Sequence, residues 1–174
     1  MKKIVILGDC GSCRLTREVT GLCSKNGGVL FIGGGKIFRT SENPSYLVVG
    51  ASELSQLELP GSIIVLGKKL GGISRDIDLS AYICVLDAEN KDSLLFASGC
   101  GAQALGCSMS GHDSMTVSSF GEDGQIVIAL RRSVRTDSGT ISPGEFSIYA
   151  SPDDNIYPVL AANAALLVSG VSPF

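Results

Sequence analysis

The apolar positions of this chain fall into short, β-branched runs divided by polar and glycine-rich stretches. The first run, Ile4-Val5-Ile6-Leu7, suits a strand buried on both faces. It leads into Gly8-Asp9-Cys10-Gly11-Ser12-Cys13, whose glycines let the backbone turn sharply without a Cβ clash. Leu15, Val19, Leu22 and Cys23 then recur at helical spacing, and Asn26-Gly27-Gly28 supplies a stop. Further strands are predicted over 28–33, 46–49, 62–66 and 82–86, with Gly33-Gly34-Gly35 as the exit from the second strand. A short helix is expected over 52–59, stopped by Pro60-Gly61, and a glycine-rich loop over 68–79. Asp87-Ala88-Glu89-Asn90 opens a helix through Leu94, Leu95 and Phe96 that ends at Gly99.

From Gln103 the texture changes to strand-like runs over 104–109, 114–120, 125–131 and 146–149, with Glu122-Asp123-Gly124 as a hairpin turn. This half reads as antiparallel and more exposed. The last element, 153–170, is a helix capped by Asp153, Asp154 or Asn155, with Pro158 in its first turn and an apolar face from Ile156, Val159, Leu160, Leu166 and Leu167. The expected architecture is α/β: one three-layer, Rossmann-like and P-loop-like domain over 1–174. Its mostly parallel sheet carries helices on both faces and a C-terminal antiparallel extension.

Composition agrees with such a domain. Hydrophobic residues make up 44% of the 174, charged ones 18% and aromatic ones 6%, with 22 glycines and no tryptophan. A net charge of −3 leaves no broad basic face, which argues against nucleic acid as a partner. The longest apolar run, 159–168, contains Asn163 and is too short to span a bilayer, so no membrane partner is expected. Met1-Lys2-Lys3 opens directly onto a strand without a signal-type h-region; the expectation is a cytoplasmic protein with mostly reduced cysteines. Its many glycines and short strands suit a homodimer.

The strand, loop and helix at the start aim backbone N–H groups and a helix dipole at one point, which favours an anion or phosphate on Gly8, Asp9, Cys10, Gly11, Ser12 and Cys13. The same stretch carries a rival chemistry. Cys10-x-x-Cys13 at a helix N-terminus is the setting that activates a dithiol, although no cis-Pro loop or neighbouring Trp accompanies it. Cys100 and Cys107 could join those thiols around zinc, but their spacing is poor, and no metal or cofactor is expected. His112 lies in a polar loop beside Asp113; adjacent residues on an extended chain point apart, so a turn is the simpler reading, with His112 kept as a ligand contact. Arg131-Arg132-Ser133-Val134-Arg135 reads as a solvated strand edge or an anion contact, and Gly33-Gly34-Gly35-Lys36 as a weak second anion turn.

In this order the pieces resemble the central ATP-binding domain of the Mur ligases, amide-forming enzymes of peptidoglycan synthesis, and of the related folylpolyglutamate-type ligases. Gly8 to Cys13 sits where that family carries Gly-Thr-Asn-Gly-Lys-Thr or Ser, and Val85-Leu86-Asp87-Ala88-Glu89-Asn90 resembles its Val-x-Asn-Ala-Asp-Asp stretch. Asp154-Asn155-Ile156-Tyr157-Pro158-Val159-Leu160-Ala161-Ala162-Asn163-Ala164-Ala165 is similar to its His-Asn-Val-x-Asn-x-Leu-Ala-Ala-x-Ala-Ala helix. The resemblance implies ATP and Mg²⁺ at the first loop, held by a lysine and a hydroxyl. Here those positions are Ser12 and Cys13, and Arg14 is rotated about 100° away on a helix. The sequence shows no counterpart of the family's Mg²⁺-binding Glu or carbamylated Lys. The expectation is therefore a non-catalytic, Mur-ligase-like protein that binds a small anionic ligand, phosphate or nucleotide, or else a protein partner. A thiol redox protein at Cys10 and Cys13 is the alternative.

Overall fold

Ile4 to Leu7 are wholly buried because their strand lies in the middle of a large sheet, with helices or packed loops over each face. The computed structural model describes residues 1–8, 13–121, 124–136, 139–149 and 155–171. In chain order these form β1 (Lys2–Leu7), α1 (Arg14–Lys25), β2 (Val29–Gly33), β3 (Lys36–Arg39), β4 (Tyr46–Ala51), β5 (Ser62–Leu66), β6 (Ile83–Asp87) and α2 (Lys91–Gly99). There follow β7 (Gln103–Ser108), β8 (Met115–Phe120), β9 (Gln125–Leu130), β10 (Val134–Thr136), β11 (Gly139–Ile141), β12 (Gly144–Tyr149) and α3 (Tyr157–Val168).

Among the described residues ten strands make one sheet in the order β12-β9-β8-β7-β6-β5-β1-β4-β2-β3, and β10 and β11 pair separately. From β2 to β8 the neighbours run parallel, whereas β3 and β9 are antiparallel to their neighbours. Register aligns Ile4 with Val48 on one side and with Ile63 on the other. Side-chain alternation then separates two cores. Ile4 and Ile6 pack with Leu15 and Val19 of α1 and with α3, while Val5 and Leu7 pack with Ile64, Leu66 and Phe96 of α2. The α/β, mostly parallel, three-layer expectation holds.

Four local expectations are corrected. Segment 52–59 is not helical: the Leu54 N–H donates to Gly72 O at 3.1 Å and the Ser74 N–H to Leu54 O at 2.8 Å, so its backbone bonds are made to a neighbouring loop. That arrangement lays Leu54, Leu57 and Leu59 on the second core. Gly34 and Gly35, at φ +53° and +71°, end β2 as expected, but they turn a hairpin into β3, a strand that the sequence did not reveal. β7 joins the parallel set through the α2 crossover, so antiparallel pairing in the second half starts only between β8 and β9. The final helix begins at Tyr157 and is buried on nearly every side rather than on one face. Asn155 Oδ1 accepts from the Tyr157 N–H at 3.2 Å, whereas Asp153 and Asp154 lie outside the described residues.

Candidate functional site at the carboxyl end of the parallel strands

β1 is flanked by β4 and β5, and the chain crosses from one side of β1 to the other between those two strands. In open α/β sheets this reversal leaves a crevice outside the carboxyl ends of the strands, and there the chain leaves β1 through Gly8. Gly8 takes φ +99°, and its N–H donates to Ala51 O at 2.8 Å. On its other flank the Gly67 N–H donates to Leu7 O at 2.7 Å, and Lys69 O sits 2.2 Å from where a Cβ of residue 8 would be. Only glycine fits there. Asp9, Cys10, Gly11 and Ser12 lie outside the described residues.

Cys13 is the N-cap of α1, with extended backbone and with Sγ accepting from the Thr16 N–H at 3.4 Å. The first turn of this 12-residue helix therefore opens at the same end as Gly8. Arg14 is engaged locally: Nη1 donates to Asn155 O at 3.0 Å, and Nε lies 3.5 Å from the Glu18 carboxylate. It ties α1 to the segment leading into α3.

The loop after β5 forms a wall that sequence reasoning did not assign to the site. Asn90 braces it: Nδ2 donates to Lys68 O at 3.3 Å, while Oδ1 caps α2 by accepting from the N–H groups of Asp92 and Ser93. The Tyr157 hydroxyl donates to Leu66 O, which anchors α3 to the same strand end. Burial pushes that hydroxyl well above its ordinary pKa, so it stays protonated. The available signal was Gly67 directly after the apolar run of β5, the strand next to β1 in the sheet.

His112 lies elsewhere. Its loop follows β7, three strand positions from β1, about 14 Å at ordinary strand spacing. It is exposed; its N–H donates to Ser110 Oγ at 3.4 Å and its carbonyl accepts from Arg132 Nη2 at 3.0 Å. The Asp113 carboxylate accepts from the Ser108 hydroxyl instead of the imidazole. The turn reading of this loop agrees with those bonds.

Nothing among the described residues favours the thiol alternative. Burial pushes Cys23 up to about 12 and raises Cys84, Cys100 and Cys107 as well, which leaves those thiols protonated and inert. Cys100 and Cys107 belong to opposite cores of the sheet and cannot share one ion. No cluster of three metal-ligating side chains occurs among the described residues, and no described helix is long and apolar enough to cross a membrane.

Comparison with solved structures identifies the class of fold. The chain is similar to UDP-N-acetylmuramoyl-L-alanyl-D-glutamate–2,6-diaminopimelate ligase, with TM-score 0.61 and 10% identity, over 99% of this chain and 44% of that one. It is likewise similar to MurF from Acinetobacter baumannii, with TM-score 0.59 and 14% identity, over 98% of this chain and 43% of that one. A murein peptide ligase from Psychrobacter arcticus matches with TM-score 0.57 and 14% identity, over 98% and 44%. The chain thus has a Mur-ligase-like fold and spans less than half the length of these ligases. No family model matches it, and no curated protein matches it in sequence.

Proposed function

We propose that this chain is a Mur-ligase-like domain that binds a small anion, a phosphate or the phosphate of a nucleotide, at the β1–α1 junction, and that it carries out no ATP-dependent ligation. The reading rests on one observation: Gly8, at a positive φ only glycine tolerates there, and the amino end of α1 meet outside the carboxyl end of β1, on a fold shared with ligases. Backbone N–H groups at the first turn of a helix complement a phosphate. The absence of ligation follows from Ser12 and Cys13, which stand where the phosphate-contacting lysine and Mg²⁺-binding hydroxyl of such loops would be.

The test is a thermal-shift series on reduced protein with ATP, ADP and inorganic phosphate, with and without Mg²⁺. A ligand at 100 times its Kd adds about 2.7 kcal/mol, so the midpoint should rise by several degrees. That rise should persist in Cys10→Ser and Cys13→Ser. Absence of any shift, or its loss in both serine variants, contradicts the proposal.

A further inference from the structure

The opposite end of the sheet holds two cavities that meet at Ile83. One, of about 240 Å³, is lined by Lys2, Lys3, Ser62, Thr136 and Ser169 over an apolar floor that includes Ile63, Ile83 and Val168. The other, of about 150 Å³, lies beside the first half of β7, against Gln103, Ser114, Arg132 and Ser133. Residues 132–136 run along both. Among the described residues every charged side chain lining the two cavities is a cation, in a chain whose net charge is −3.

None of those three cations makes an ion pair with a carboxylate among the described residues. Lys2 Nζ lies 5.6 Å from the centre of the Tyr46 ring, Lys3 Nζ donates to Pro60 O, and Arg132 spends one N–H on His112 O. A lysine ammonium has three donors and a guanidinium five, so each retains donors for a ligand. α1 and α3 also end on this side, and their last carbonyls contribute partial negative charge. An anion here is consequently held by side-chain cations rather than by a helix terminus.

The lysines sit on β1 and the Arg132 cavity beside β7, three strand positions away, or about 14 Å before the long side chains reach inward. From this geometry we propose a second binding site, at the amino end of the parallel strands, for an extended small molecule with an anionic group at each end. Lys2, on the same face of β1 as Ile4 and Ile6, takes one anionic group, and Arg132 takes the other. Ile63, Ile83 and Val168 take the apolar middle.

Calorimetric titration of the intact chain with 1,6-hexanediol bisphosphate, suberate and the monoanion octanoate tests this. At least one dianion should bind with Kd at or below about 1 mM and at least tenfold more tightly than octanoate; which dianion binds separates phosphate from carboxylate as the terminal group. The changes Lys2→Gln and Arg132→Gln, at the two ends of the site, should each weaken binding at least tenfold with thermal midpoints unchanged, whereas Lys3→Gln, on the other face of β1, should not. Raising salt from 50 to 500 mM should weaken it further, as expected for partly exposed charges. No binding of either dianion, or binding indifferent to both Lys2→Gln and Arg132→Gln, overturns the proposal.

Discussion

Gly8 meets two demands at one position. Its φ of +99° disfavours any side chain, and a Cβ would stand 2.2 Å from Lys69 O, a backbone atom with no freedom to yield. Gly8→Ala should therefore destabilise the fold by about 2–4 kcal/mol, measured by urea unfolding. The exposed Gly35, at φ +71° with open space around it, provides the comparison: Gly35→Ala should cost only about 1 kcal/mol. Residue chemistry legible in the sequence was of this local kind, a glycine after a buried strand and a turn at Ser110 to Asp113. The approach that closes this flank of Gly8 was not legible, because Lys69 lies 61 positions further along the chain and no local pattern announces it.

At the scale of elements, capping and burial differ in weight. Asn90 caps α2 and also holds the loop after β5, so Asn90→Ala should cost about 1 kcal/mol. Leu160 of α3 is fully buried in the core that α3 shares with α1, and Leu160→Ala should cost about 2–5 kcal/mol, the larger figure if the cavity does not collapse. Chemical denaturation of the two variants checks the ranking, and equal losses would contradict it. The strands of the parallel sheet were readable because a fully buried strand needs an unbroken apolar run. Segment 52–59 was misread as a helix because Leu54, Leu57 and Leu59 carry an apolar spacing that an extended segment lying on a core can satisfy equally well. Strand β3 escaped notice since its four residues are all exposed and show no buried alternation.

For the whole molecule, the buried thiols predict alkaline sensitivity. Cys23 is raised from 9.0 to about 12, and Cys84 and Cys107 rise too, in each case first through burial. Above pH 9 the unfolded chain gives up thiol protons that the native state keeps, so the native state is disfavoured as pH rises. Each such thiol removes about 1.4 kcal/mol per pH unit, for Cys23 over the window from 9 to 12. Urea midpoints from pH 8 to 10.5 should fall steeply, and Cys23→Val should flatten the fall by about 1.4 kcal/mol per unit. An unchanged slope in that variant would mean the thiol is not held protonated by the fold. The α/β class was legible at this scale, whereas the antiparallel flank was overextended, because parallel and antiparallel pairing of β7 is decided by α2 crossing over and not by the strand's own residues.

The central claim is that an anion sits at the β1–α1 junction. Amide chemical-shift mapping on ¹⁵N-labelled reduced protein, titrated with ADP and then with inorganic phosphate, examines it most directly. Saturable shifts centred on Gly8, Cys13, Arg14, Leu15 and Gly67 are the predicted result. Shifts confined to Lys2, Lys3 and Arg132 at the other end of the sheet, or none up to millimolar ligand, would contradict it.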